Sequence, residues 1–149
     1  MFDAMNISAS ALTAQRLRMD VISQNIANAQ TTRTPEGGPY RRRTVIFQEI
    51  GDSDPFRNMF SDAVKRGPTP ASKGTGVRVS KIAVDESPGV LQYDPHHPDA
   101  DAEGYVRMPN VNIIEEMVNM ISASRSYEAG ITAINTSKAM IARTLDLGK

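Results

Sequence analysis

The stretch VNIIEEMVNMISASRSYEAGITAINTSKAMIARTLDLGK, residues 111–149, decides the fold. Ile113, Met120, Tyr127, Ile134 and Ile141 recur every seven residues, and Met117, Ser124, Ile131, Lys138 and Leu145 fill the companion heptad position. Eight of these ten positions are apolar and no proline interrupts them, so the segment predicts one long helix carrying a coiled-coil seam. A helix of about 35 residues spans roughly 50 Å. Asn110 or Asn112 is placed to cap its start and Gly148 to mark its end. Gly130, in the middle, costs on the order of 1 kcal/mol relative to alanine.

Working back to the other terminus, Met5, Leu12, Met19 and Ile26 are also spaced by seven, with Ser8, Gln15, Ile22 and Ala29 beside them. This is a narrower seam, polar on one side over its first half. It predicts a helix from Phe2 to about Gln30. Between the two ends lie all nine prolines, Pro35 to Pro109, and eight of the ten glycines. Both residue types break helices, so the ends are free to be helical and the middle is not. The expected class is therefore α+β. Residues 1–31 and 111–149 are the paired coiled-coil helices, and residues 32–110 form a β-rich and loop insertion.

Within the insertion, Thr44-Val45-Ile46-Phe47 reads as a strand. Gly76–Val84, with Val77, Val79, Ile82 and Val84, reads as a second. Ser87-Pro88-Gly89 reads as a turn that returns Val90–Tyr93 as a partner strand, and Tyr105-Val106 as a last short strand. Asp52–Lys73 is polar and contains prolines, so a mobile segment is expected over about 52–73. No internal repeat is evident.

The 149 residues carry 17 Lys+Arg against 17 Asp+Glu, a formal net charge of zero. A nucleic-acid binder ordinarily shows a basic excess, and a neutral chain does not repel its own copies. Hydrophobic residues reach 40% but aromatics only 5%, so the core is modest and built from aliphatic side chains. Cysteine is absent, which excludes disulfides and thiolate metal sites. No apolar run approaches the roughly 20 residues of a membrane span. Nor do the first 30 residues resemble a cleavable secretory signal.

Candidate sites are few. Asp94–Gly104 holds both histidines and four carboxylates, and Asp99, Asp101, Glu103 and Gly104 match the opening of a calcium loop. The match fails at the twelfth position, Asn110, and at Pro109, so a Pro-stiffened acidic loop is the better reading. Arg41-Arg42-Arg43 runs into a strand and, in a neutral chain, reads as an interface patch that meets the acidic loop of another copy. Gly37-Gly38 and Gly74-Thr75-Gly76 lack the lysine of a phosphate loop and read as turns. No nucleophile–base spacing accompanies the histidines, so no catalytic, cofactor-binding or metal residue is assigned.

The helices themselves remain. Ordering about 35 residues costs more backbone entropy than eight seam side chains return, and Asn, Ser and Thr are indifferent helix formers. Pairing with the N-terminal helix helps on one side only. The ends are thus expected to order against neighbouring copies, although periodicity alone is as compatible with a self-contained helical hairpin.

Several motifs, in order, break that tie. Ser8-Ala9-Ser10-Ala11-Leu12-Thr13-Ala14-Gln15-Arg16, Asn25-Ile26-Ala27-Asn28-Ala29-Gln30-Thr31-Thr32 and Tyr40-Arg41-Arg42 occur in the first part of the chain. Tyr93-Asp94-Pro95, His97-Pro98-Asp99-Ala100-Asp101, Gly104-Tyr105-Val106, Pro109–Asn112, Glu115–Met120, Ser124–Ala129 and Asn135 follow in the last. Together they resemble the flagellar axial proteins, the family of rod and hook subunits, and within it the C-type proximal-rod group. Gly130 departs from the family pattern, which usually has Asn there.

The resemblance implies a structural subunit of the basal-body rod. It implies export by the flagellar type III apparatus without a cleaved signal, and assembly as a tube around a central channel that transmits torque across the periplasm. The implied partners are other copies, other rod proteins, the basal-body junction protein and the membrane-ring base, with no nucleic acid, no membrane insertion and no cofactor. The expected assembly interface comprises Leu12, Met19, Ile22, Ile26, Ile113, Met117, Met120, Tyr127, Ile131, Ile134, Ile141 and Leu145, with Asn25 and Asn28 from the N-terminal motif.

Overall fold

The structure is a computed structural model describing residues 2–50 and 76–147. The segment expected to be mobile, the turn residues Gly74 and Thr75, and the stop at Gly148 lie outside the described residues. Two long helices bracket four strands. Helix α1 is Phe2–Ala27 and α2 is Ile113–Leu147. Between them come β1 (Arg43–Glu49), β2 (Val77–Val84), β3 (Leu91–Tyr93) and β4 (Tyr105–Arg107).

Each helix has local reasons to begin and end. Asp3 in the first turn of α1, and Glu115 and Glu116 in that of α2, oppose the positive end of the helix dipole. Asn112 caps α2: its Oδ1 accepts from the Ile114 amide at 3.0 Å. Asn110, the other candidate cap, has a different task described below. Helix α1 stops at Ala27, and the expected turn to Gln30 is instead a run of tight turns. There Asn28 Nδ2 donates to the Gln24 carbonyl at 2.8 Å, satisfying an acceptor at the helix end.

Strands β1 and β2 pair antiparallel, and the register steps between Ile46 and Phe47, from Ile46↔Lys81 to Phe47↔Val79. Ser80 is thereby an extra residue on β2. The same step is visible in the sequence, where the apolar positions change phase between Val79 and Ile82. The bulge absorbs that change and keeps Val77, Val79, Ile82 and Val84 on one face.

This ribbon lies along α1. Ser10 Oγ accepts from the Val77 amide at 3.1 Å near one end, and Asn25 Oδ1 from the Arg43 amide at 3.0 Å near the other. The helix between Ser10 and Asn25 runs about 22 Å and a seven-residue strand about 23 Å, so the two stay in step. Gly76, at φ 100°, sits against Ser10, where any added Cβ would collide with the hydroxyl.

Strand β3 corrects an expectation. Leu91–Tyr93 pairs with β4, Leu91↔Arg107 through Tyr93↔Tyr105, rather than returning along β2. The carbonyls of Asp85 and Ser87 are taken by Asn110 Nδ2 at 3.1 and 3.2 Å, so the chain leaves the ribbon there. Gly89 then passes so near the Met108 carbonyl that no Cβ fits. Edge-to-face rings of Tyr93 and Tyr105, 5.2 Å between centroids, close the small sheet.

Among these regular elements α1 is central: it touches α2, β1 and β2, while α2 touches α1 alone. Gly130, the expected weak point of α2, is a contact. A Cβ there would lie 2.8 Å from Leu12 Cδ2, so the missing side chain lets α1 approach. No helix among the described residues is long and apolar enough to cross a membrane.

Candidate assembly surfaces and the buried junction

The buried apolar side chains among the described residues are Ala14, Val21, Ile22, Tyr40, Val106 and Ala123. Two polar ones join them, Asn25 and Glu116, each 1% exposed. They meet where the end of α1, the start of β1 and the first turn of α2 converge. Asn25 Nδ2 donates to Glu116 Oε2 at 2.8 Å and to the Arg43 carbonyl at 2.8 Å. Its Oδ1 accepts from Tyr40 Oη at 3.0 Å and from the Arg43 amide at 3.0 Å. All four hydrogen-bonding positions of the amide are filled. Glu116 Oε1 receives Arg42, from Nε at 2.9 Å and from Nη2 at 2.7 Å. Next to this pair, Asn110 Oδ1 accepts from the Arg42 amide at 2.8 Å.

The polar groups survive burial because each is paired. Desolvation of an unpaired amide or carboxylate costs several kcal/mol. The same burial pushes the Tyr40 phenol above its usual range; nearby Arg43 opposes the shift and Glu116 adds to it. The arrangement performs no bond-making chemistry. It fixes α1, β1 and α2 at one angle and register.

This junction overturns two expectations. Asn25 and Ile22, expected at a surface between copies, are enclosed within the chain. Arg42, expected to reach a neighbour's acidic loop, is committed to Glu116. The Arg-triplet and the adjacent Glu115-Glu116 pair are each ordinary in sequence, one a basic patch and the other first-turn acids. Only the closure of 74 residues of chain between Arg42 and Glu116 makes them partners.

The expected seam of α2 divides in two. Met120, Tyr127, Ile134 and Ile141 are half-buried, on the same face as Glu116, Ala123 and Gly130. The large apolar residues of the companion row, about 50° further round the helix, are exposed: Met117 at 54%, Ile131 at 40% and Leu145 at 68%, with Ile113 at 41%. Ile114, Met117, Val118 and Ile121, at spacings of three and four, make a second apolar stripe that nothing among the described residues covers. On α1, Leu12, Met19 and Ile26 are half-buried, as is Asn28 in the turn that follows. Gln15, on the polar side of the N-terminal seam, keeps a buried Oε1 with no hydrogen-bond partner among the described residues.

The acidic loop is bound to its own backbone. Asp94 Oδ1 accepts from the His96 amide, His97 Nδ1 from the Asp99 amide, and Asp101 Oδ1 from the amides of Glu103 and Tyr105. Thr32 Oγ1 donates to Asp99 Oδ2 at 2.7 Å. Among the described residues no three His, Cys, Asp or Glu side chains converge as metal ligands.

Two families match parts of the chain. Residues 5–33 match the family described as flagella basal body rod protein, and residues 102–147 match the C-terminal region of the flagellar basal body rod FlgEFG proteins. Whole-length relatives carry one name. The flagellar basal-body rod protein FlgC of Borreliella burgdorferi is 51% identical over 150 residues, covering 97% of this chain and 95% of that protein. FlgC of Bacillus subtilis is 48% identical over 99% of this chain and 98% of its own length. FlgC of Escherichia coli O6:H1 is 40% identical over 100% and 98%.

Proposed function

The chain belongs to the FlgC family of flagellar basal-body rod proteins, and on that premise we propose that its terminal helices are the surfaces through which copies polymerise into the rod. The protein is a structural subunit of the bacterial flagellar basal body, not an enzyme, and it assembles with other flagellar components.

The observation that carries the finer reading is the uncovered stripe of α2. Ile113, Ile114, Met117, Val118 and Ile121, followed by Ile131 and Leu145, are large apolar side chains exposed at 40% or more. A contiguous apolar surface of this kind marks an interaction site. With its other face already against α1, α2 has one side for its own chain and one for neighbouring copies. Met120, Tyr127, Ile134, Ile141, Leu12, Met19, Ile26 and Asn28 then set the angle of the pair, and the exposed row supplies the lateral contact. Repeated around a central channel, such contacts make a stiff tube whose helices line the inside and whose β-ribbon faces out, suited to carrying torque across the periplasm. A subunit whose distal helix halves gain their remaining contacts on assembly is also suited to passage through a narrow export channel without a cleaved signal. Other rod proteins, the junction protein, the membrane-ring base and the export apparatus are the partners this reading implies.

Ile131→Asp tests it. Ile131 is 40% exposed, so the purified variant is expected to keep the helicity and melting of the parent. In cells with this chain as their only subunit of its type, rods and swimming are expected to be lost. Retained swimming defeats the assignment.

A further inference from the structure

Resting on the reading of the chain as a polymerising subunit, we propose that an arginine-lined cleft beside the end of α1 is a docking site for the acidic loop tip of a second copy of this chain. The cleft has a volume of about 360 Å³. The turn between α1 and β1 shapes it: the Tyr40 amide donates to the Thr31 carbonyl at 3.0 Å, and the Thr34 amide to the Gly38 carbonyl at 2.9 Å. Gly37 and Gly38 adopt φ of 87° and 80°, and a Cβ at either would meet nothing within 4 Å. These glycines serve the backbone turn and leave the mouth open.

Arg33, Arg41 and Arg43 line the cleft against one carboxylate, Glu36. The Arg43 guanidinium stands 5.8 Å from the Tyr40 ring centroid, which orients it. Arg42, between the two, is spent on Glu116, so only Arg41 and Arg43 of the triplet face the cleft.

The complement is on the same chain. Residues 82–106 hold Asp85, Glu86, Asp94, Asp99, Asp101 and Glu103 and no Lys or Arg. Asp99 is already used within the chain, bound by Thr32 and 3.7 Å from Arg33. Asp101 is used to cap the amides of Glu103 and Tyr105. The Glu103 side chain is exposed and its carboxylate makes no hydrogen bond among the described residues. The tip therefore presents Glu103 on a turn stiffened by Asp101.

One patch basic and another acidic, on different elements of one neutral chain, form a head-to-tail contact. Such a heterologous contact makes a ring where its rotation closes and a helical polymer where it does not, and a rod subunit calls for the second. Charge pairs at its rim set register and reject wrong neighbours.

The test uses charge reversal and exchange in the full-length chain. Arg41→Glu and Glu103→Arg are each expected to lower swimming, scored in cells with this chain as their only subunit of its type, by about tenfold, as like charges meet. The double variant is expected to recover to within about threefold of the parent, because the pair is restored with its sign exchanged. Unchanged melting of the purified single variants separates this loss from misfolding. The chain has no cysteine, so Arg41→Cys with Glu103→Cys gives an independent readout. Disulfide-linked multimers of the chain in isolated basal bodies are expected. Single reversals that swim as the parent does, a double variant as poor as the singles, or a cross-link from Arg41→Cys only to a different protein overturn the proposal. In the first case the rod reading still stands, because the parent chain swims in the same assay.

Discussion

Near the junction, α1 and α2 bury Ala14, Val21, Ile22, Asn25, Glu116 and Ala123, whereas over residues 3–13 of α1 and 124–146 of α2 no side chain is buried. The helices are continuous through both regions, and local propensity does not separate them. The difference is in neighbours. At the junction a helix has another helix, a ribbon and a polar network around it. At the far end α2 has one helix and solvent, and α1 adds only the start of β2, at Ser10. Helix stability in proteins comes mainly from tertiary packing of the apolar face, so the free chain holds the junction more firmly than the far halves. Within the junction itself the two faces of α2 differ as sharply: Glu116 is 1% exposed and Met117 54%.

Substituting those two neighbours gives the largest contrast. Glu116→Ala takes the carboxylate from the Arg42 guanidinium and leaves one of the two Asn25 Nδ2 protons unpaired, and breaking a buried pair in this way costs about 3–5 kcal/mol. Met117→Ala, on the open side, is expected to change the stability of the isolated chain by less than about 0.5 kcal/mol. Urea unfolding followed by circular dichroism measures both. Equal losses would erase the distinction between the packed and the open face of α2.

A middle-sized effect is expected where α1 first leaves the junction. Gly130→Val places two methyl groups where Leu12 now lies, and overpacking of this kind costs about 1–3 kcal/mol. Thermal melting reads it, and adding Leu12→Ala is expected to recover part of the loss by reopening the space. Recovery of nothing would mean that the helices do not meet at this point.

The smallest effect is alkaline. Burial raises the Tyr40 pKa in the folded state, so the fold favours the neutral phenol that donates to Asn25 Oδ1. The associated stability is whole below the ordinary tyrosine range. It is lost as pH rises from about 10 through the folded value, because the unfolded chain releases its proton first. Melting of the parent is expected to fall over that window. Tyr40→Phe removes this titration, leaving only the slopes of other groups.

Much of this architecture was legible in the residues. The proline and glycine distribution fixed where helices were possible, and heptad spacing located α2 from Ile113 onward. The phase change between Val79 and Ile82 even encoded the bulge at Ser80. Less legible was the direction each apolar row faces. A seven-residue repeat states that a stripe exists, but not whether the neighbour is in the same chain. Met120 and Met117 are equally good seam residues in sequence, and only the position of α1 separates them. The pairing of β3 with β4 was hidden for a related reason. Val90–Tyr93 has strand character, and its partner was decided by Asn110 taking the carbonyls of Asp85 and Ser87.

By itself, then, the amino-acid order determined two capped or turn-ended helices at the termini, an interrupted β-rich middle and the family motifs that point to a rod subunit. The helices and the interrupted middle follow from short-range rules: backbone freedom, side-chain period and the reach of a capping oxygen; the rod reading follows from the resemblance of the motifs. Tertiary structure alone decided that Asn25, Tyr40, Arg42 and Glu116 form one buried network and that half of the α2 stripe is left uncovered. The physical reason is that hydrogen bonds and burial depend on distance in space. Chain closure over 91 residues, from Asn25 to Glu116, is not written in any local pattern.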